Sequence, residues 1–227
     1  MATADAWRDG EGESFASPAC SLAEVDPDYA GLPLPPAEVP AWRKAERARL
    51  IAARRAHDPA LRRVDDLRIG ALLDGLVGEV RGRVVSLYWP FRAEPDLRAW
   101  AAGVRERGGA LALPVVAERG RPLVFRLWAP GDPLVPGIWN IPVPARDERV
   151  TPEVILAPVV GFDAGGYRLG YGGGYFDRTL AVLPPGWRAY GVGYGLAAVP
   201  TIHPQPHDVP LHAIVTPEGV VPGMAAR

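Results

Sequence analysis

Hydrophobic positions along this chain change period several times, and each change marks an element. Ala41 to about His57 is strongly helical and is expected to end at Asp58-Pro59. A second helix is expected from Val64 to Leu76, with Leu67, Leu72, Leu73 and Leu76 on its apolar side. The pattern then alternates. Arg83–Tyr88 reads as a strand and Pro95–Arg107 as a helix stopped by Gly108-Gly109. Ala110–Val116 and Leu123–Trp128 read as strands. Val154–Val160 is apolar throughout and therefore a strand buried on both faces. A helix is expected over Gly174–Leu183, followed by strands at Arg188–Tyr194 and Ala213–Thr216. Apolar strands alternating with helices predict a single α/β domain. Its sheet should be mostly parallel or mixed, with helices on both faces, in a Rossmann-like three-layer sandwich.

Residues 1–40 show no such periodicity and carry Pro33, Pro35, Pro36 and Pro40. They are expected to form an acidic, proline-rich extension, with partial order at best around Phe15–Tyr29. The α/β domain should occupy 41–220 and a short tail 221–227.

Charge adds one asymmetry. Residues 1–40 hold eight acids against Arg8, a net −7, so the remainder carries +6 of a total of −1. Such a body favours an anionic ligand. Cys20 is the only cysteine, which excludes an intramolecular disulfide and suits a reducing, cytoplasmic location. No apolar run approaches the roughly 20 residues of a membrane span, and the acidic start fits neither a secretory signal nor a transit peptide.

The densest chemistry lies at 161–178, where a glycine cluster, Arg168, Arg178, Asp163 and Asp177 share eighteen positions. A strand, a glycine-rich turn and a helix start make a ready phosphate cradle. The dinucleotide fingerprint fits Gly170 and Gly172 but meets Tyr175 where its last glycine belongs, and no lysine supplies a Walker motif. A tight turn needing positive φ would also use such glycines. The flanking charges suit instead a nucleotide whose phosphates take a guanidinium clamp and a bound Mg²⁺.

The run Arg168-Leu169-Gly170-Tyr171-Gly172-Gly173-Gly174-Tyr175-Phe176-Asp177-Arg178, preceded by Gly161-Phe162-Asp163, resembles the signature of the 5-formyltetrahydrofolate cyclo-ligases, or methenyltetrahydrofolate synthetases. The resemblance extends over about 41–218. The usual pattern has two tyrosines before the aspartate, and Phe176 lacks the second hydroxyl. Trp139-Asn140-Ile141-Pro142 is similar to a family segment lining the folate pocket, although a core tryptophan is the other reading. Glu94 matches a substrate-contacting glutamate, although a charge serving a helix dipole would also stand before the helix at 95–107. Arg43 (or Lys44) and Arg47, at i, i+4 spacing, match phosphate-contacting bases. A solvated basic face with Arg49, Arg54 and Arg55 is the alternative.

The family implies ATP as co-substrate and Mg²⁺ as cofactor. Arg168, Asp177 and Tyr175 would be catalytic. Arg43, Lys44, Arg47 and the run Arg168, Leu169, Gly170, Tyr171, Gly172, Gly173, Gly174, Tyr175 and Asp177 would bind nucleotide. Glu94, Trp139 and Tyr175 would hold folate, and Asp177 and Asp208 the metal. The implied reaction converts 5-formyltetrahydrofolate to 5,10-methenyltetrahydrofolate with release of ADP and phosphate, through a phosphorylated formyl intermediate. The partners expected are the two substrates, without nucleic acid or membrane, in a monomer or weak dimer. Two alternatives stay open: a catalytically inactive nucleotide- or folate-binding regulator, and an α/β enzyme acting on another phosphorylated substrate. His203, His207 and His212 fall close together and raise a zinc site, which two prolines and a missing further ligand disfavour.

Overall fold

Short apolar segments pair here into one sheet, and what connects them decides where a ligand can bind. The structure, a computed structural model, describes residues 34–224, so Cys20 and Phe15–Tyr29 lie outside the described residues. The helices are α1 (Val39–Ala56), α2 (Pro59–Val77), α3 (Arg98–Glu106) and α4 (Tyr175–Leu180). The first strands are β1 (Val84–Ser86), β2 (Ala110–Val115), β3 (Val124–Leu127), β4 (Leu134–Pro136), β5 (Pro142–Pro144) and β6 (Arg149–Val150). They are followed by β7 (Val154–Pro158), β8 (Gly161–Phe162), β9 (Arg168–Leu169), β10 (Arg188–Val192), β11 (Ala213–Thr216) and β12 (Gly219–Pro222).

The eight-stranded sheet runs β12-β11-β10-β7-β1-β2-β3-β6. Its inner strands β11, β10, β7, β1 and β2 are parallel, while β12, β3 and β6 close the edges antiparallel. The α/β class, the mixed sheet and the helices on both faces are therefore as expected. Successive strand residues point to opposite faces. Val154 and Leu156 meet Ile69 and Leu73 of α2 and Val104 of α3. Ile155 and Ala157 join Leu180 of α4 on the other side.

Three local expectations are corrected. Asp58-Pro59 does not merely end α1; it opens α2, with Asp58 Oδ1 accepting from the Ala60 and Leu61 amides at 2.6 and 3.3 Å. The buried stripe of α2 is Ile69, Leu73 and Val77, whereas Leu67 is 69% exposed. A helix apolar on several sides does not disclose which side docks. Helix α4 is shorter than Gly174–Leu183, because Pro184 disfavours helical backbone in the residue before it. At the ends, α1 takes in Val39 and Pro40, and β12 runs to Pro222, past the 220/221 boundary.

The sheet strands β1 and β7 are neighbours, yet the next helices after them lie on opposite faces, α3 on one and α4 on the other. Their connections therefore part at the carboxyl ends and open a crevice, the place where open α/β sheets bind ligands. The small β8–β9 hairpin stands there, fastened by Asp163, whose carboxylate accepts from the amides of Gly165, Tyr167 and Ile202. Helix α1 packs onto this hairpin through Leu50 against Val160, Leu169 and Ile202. Among the described residues, no helix is long and apolar enough to cross a membrane.

Candidate active site

Helix α1 sorts its basic residues by face. Arg43, Arg47, Leu50 and Arg54 follow i, i+4, i+7, i+11 spacing and turn inward, while Lys44, Arg49 and Arg55 are exposed. Arg43 donates from Nε to the Ile202 carbonyl at 3.0 Å and from Nη2 to the His203 carbonyl at 2.9 Å, and it pairs with Asp208. Arg47 donates from Nε to the Gly170 carbonyl at 2.6 Å. Burial, and then repulsion from Arg43, lower the Arg47 pKa. A polyanion in front of both would relieve that repulsion.

The glycine loop crosses this face. Gly172 and Gly174 have φ of 90° and 60°, conformations that L side chains rarely adopt. A Cβ on Gly172 would stand 3.4 Å from the Arg47 guanidinium carbon, an ordinary contact, so the backbone conformation and not space is what asks for glycine there. Arg168 is buried, with Nη2 3.0 Å from Asp177 Oδ1 and Nη1 donating to the Val209 carbonyl at 3.3 Å. Its guanidinium lies 5.5 Å from the Phe176 ring centroid, so the residue without the expected hydroxyl serves as a packing face. Arg178 turns away, donating to the Gly173 carbonyl and covering the Tyr175 ring at 5.1 Å.

Two cavities flank this loop. One is aromatic, lined by Trp89, Phe91, Trp139, Tyr171, Tyr175 and Phe176 around Glu94. The other is polar, lined by Arg43, Arg47, Gly172, Gln205, His207 and Asp208. Arg168, Gly170, Gly174 and Asp177 line both.

Glu94 lies ahead of the first turn of α3 and is 5% exposed, so it does not serve that helix as a solvated end charge. Its Oε2 accepts from the Phe91 amide at 2.9 Å, and its Oε1 accepts from the Tyr171 hydroxyl at 2.7 Å. Arg54 Nη2 stands 3.7 Å from the same Oε1. Burial raises the Glu94 pKa, and Arg54 opposes the rise. Trp139 is 60% exposed and thus not a core residue. It sits in a short turn between β4 and β5 with φ of 56°, its ring edge-on to Tyr175 at 5.9 Å.

Placement divides the expected nucleotide set. Lys44 faces solvent, and the Leu169 side chain packs on Leu50. Tyr171 and Tyr175 line the aromatic cavity and not the polar one. Arg54, which the sequence places with a solvated basic face, is instead 3% exposed. Its spacing from Arg43 and Arg47 was the one signal available.

Mg²⁺ can be weighed against the carboxylates present. Asp177 spends Oδ1 on Arg168 and the Val209 amide, which leaves Oδ2 for a cation. Asp208 takes Arg43 on both oxygens, with Oδ2 also accepting the Gln205 amide at 2.7 Å. Burial pushes its pKa up, but the Arg43 and Gln205 hydrogen bonds outweigh that and hold it below the ordinary value. Asp177 fits a metal ligand, and Asp208 fits an anchor for Arg43. Among the described residues, no three His, Cys, Asp or Glu side chains converge on a metal site. The three histidines separate: His203 packs on Trp42, His207 flanks Asp208, and His212 packs on Trp187.

The profile of the 5-formyltetrahydrofolate cyclo-ligase family matches residues 39–217. The chain belongs to this family. The 5-formyltetrahydrofolate cyclo-ligase of Mycolicibacterium smegmatis is 30% identical over 184 residues, covering 77% of this chain and 94% of the relative. That of Escherichia coli K12 is 32% identical over 152 residues, 62% of this chain and 81% of the relative. The NMR structure of the Aquifex aeolicus 5,10-methenyltetrahydrofolate synthetase superposes with a TM-score of 0.69 at 27% identity, over 82% of this chain and 94% of that one. The Mycoplasma pneumoniae 5,10-methenyltetrahydrofolate synthetase, at 20% identity and a TM-score of 0.62, shares the fold over 77% of this chain and 98% of that one. For this cyclo-ligase family member, both cavities and the whole inward face of α1 fall inside the matched span.

Proposed function

We propose that the chain converts 5-formyltetrahydrofolate to 5,10-methenyltetrahydrofolate at the expense of ATP, with Mg²⁺. One observation carries the reading: an aromatic cavity with a single buried carboxylate and an arginine-lined cavity share Arg168 and Asp177 as a common wall. A pterin would lie in the first, against Trp139 and Tyr175, its N–H groups donating to Glu94. Triphosphate would lie in the second, against Arg43, Arg47 and the loop amides. The reacting groups would meet at the shared wall.

An N-formyl oxygen is a poor leaving group, so it is activated first. The formyl oxygen on N5 attacks the γ-phosphate, ADP departs, and a phosphorylated iminium forms. N10 then attacks the same carbon, loses its proton, and phosphate leaves with the former formyl oxygen. No protein nucleophile takes part. Arg168 holds positive charge beside the transferring phosphoryl group, and the buried wall excludes water from it. Asp177 would hold Mg²⁺ through Oδ2, and the ion supplies charge neutralisation across the phosphates. A cytoplasmic location belongs to the same reading, in keeping with a lone cysteine, Cys20.

Purified protein incubated with 5-formyltetrahydrofolate and Mg·ATP should accumulate the near-ultraviolet absorbance of the methenyl product, strictly dependent on ATP. Saturable binding of both ligands without product would instead identify a regulator, and absence of folate binding would point to another phosphorylated substrate.

A further inference from the structure

Arg54 is the most completely engaged buried cation near the crevice, and the implied reaction assigns it nothing. At 3% exposure its guanidinium ties together three segments that border the aromatic cavity. Nη1 donates to the Val159 carbonyl, just past β7, at 3.1 Å. Nε donates to the Arg92 carbonyl, in the turn after β1, at 3.1 Å. Nη2 donates to the Tyr171 hydroxyl of the glycine loop at 2.6 Å. The turn it fastens is strained, since Arg92 and Ala93 have φ of 49° and 63°, and Glu94 follows directly.

The direction of these bonds matters. A guanidinium can only donate, so the Tyr171 oxygen spends a lone pair on Arg54 and must aim its one proton elsewhere. Two acceptors lie in reach: Glu94 Oε1 at 2.7 Å and the Phe91 carbonyl at 3.5 Å. The shorter contact takes the proton. Glu94 Oε1 is thereby an acceptor from the protein side, and Oε2 accepts from the Phe91 amide. A carboxylate held in that way offers only lone pairs to the cavity, and so it selects ligands that present N–H groups. Without Arg54, the tyrosine hydroxyl could rotate and accept from Glu94 instead, and a neutral carboxyl would present the wrong polarity.

We propose that Arg54 is a positioning residue that, through Tyr171, fixes Glu94 as a hydrogen-bond acceptor toward the N–H edge of the folate substrate. The proposal rests on the folate reading of the aromatic cavity. It predicts an effect confined to one ligand, because the arginine-lined cavity does not include Arg54, Tyr171 or Glu94.

The test measures equilibrium binding of 5-formyltetrahydrofolate alone and of ATP alone to the full-length protein, together with thermal melting. Arg54→Gln is expected to weaken folate binding about 30-fold while ATP affinity stays within about threefold. Arg54→Lys should restore little, since an ammonium cannot reach the same three acceptors as a fork. Tyr171→Phe keeps the Arg54 bonds to Val159 and Arg92 and removes only the relay hydroxyl. It is expected to weaken folate binding about tenfold, and it decides the matter if Arg54→Gln fails to fold. Equal losses for both ligands would make Arg54 a scaffold residue and overturn the proposal, as would wild-type folate affinity in Tyr171→Phe. Wild-type protein that binds no 5-formyltetrahydrofolate overturns the folate reading and the proposal together.

Discussion

The two cavities are built from one loop by opposite means. The polar cavity is a surface of donors: Arg43 and Arg47 come from consecutive turns of α1, and the glycines leave the backbone bare beside them. The aromatic cavity is a set of flat faces around Glu94, a carboxylate held from behind, with Arg168 and Asp177 only at the wall it shares with the other cavity. Phosphate recognition tolerates mobile, solvated donors because charge acts at a distance. Recognition of a heterocycle edge does not, since a misaimed carboxylate leaves a polar group buried and unpaired. The arginine side takes both of its donors from one helix face, braced by Asp208 and the carbonyls of Ile202, His203 and Gly170, whereas the carboxylate side draws its groups from three separate segments.

The contrast breaks first at the shared wall. Asp177→Asn keeps an acceptor for the Val209 amide and Arg168 but removes the charge. It should lower kcat by about 100-fold or more in a chain that still folds, with a stability loss of about 3 kcal/mol because Arg168 is left buried without its counter-charge. Half of wild-type turnover in the variant would end the metal role of Asp177. Trp139→Ala comes next. An exposed ring should raise the folate KM about tenfold, leave the ATP KM alone, and change stability by no more than about 0.5 kcal/mol. A matching rise in both constants would mean that the cavities are not separable.

Gly172→Ala probes the opposite side. Its φ of 90° and its contact with Arg47 predict an ATP KM several-fold higher and a stability loss of about 1–2 kcal/mol, with folate KM unchanged. The smallest effect on activity is expected from Asp208→Asn. The folded pKa of Asp208 is below the ordinary 3.8, so its ion pair stabilises above that value and the contribution is lost as pH falls through the lowered one. Melting curves should show the variant less stable by about 1–3 kcal/mol at neutral pH, with the gap closing below about pH 4. A gap independent of pH would remove the ion pair as its cause. A rise in the Mg²⁺ needed for half-maximal activity would return Asp208 to the metal.

Local patterns made much of this legible. The apolar runs at β2, β7, β10 and β11 announced a buried sheet, because a strand covered on both faces has no polar alternation to hide it. The glycine loop announced itself through composition. What stayed hidden was direction. Asp208 and Asp177 read alike in sequence, yet one clamps Arg43 on both oxygens and the other keeps an oxygen free. Tyr171 stood among the phosphate-binding glycines, but its side chain crosses to the aromatic cavity. The short strands β4, β5, β6, β8 and β9 are not legible in the sequence, since two or three residues carry no period.

By itself the sequence determined the α/β class, a mostly parallel or mixed sheet and the family, because each rests on patterns carried within a few consecutive residues. Only the tertiary structure decided which arginines of α1 turn inward, and which carboxylate commits both of its oxygens to an arginine. It also decided that Arg54, Tyr171 and Glu94, 117 and 77 residues apart along their hydrogen bonds, share one hydroxyl. Hydrogen-bond polarity between such distant groups depends on where the strands deliver them, and no local pattern encodes that.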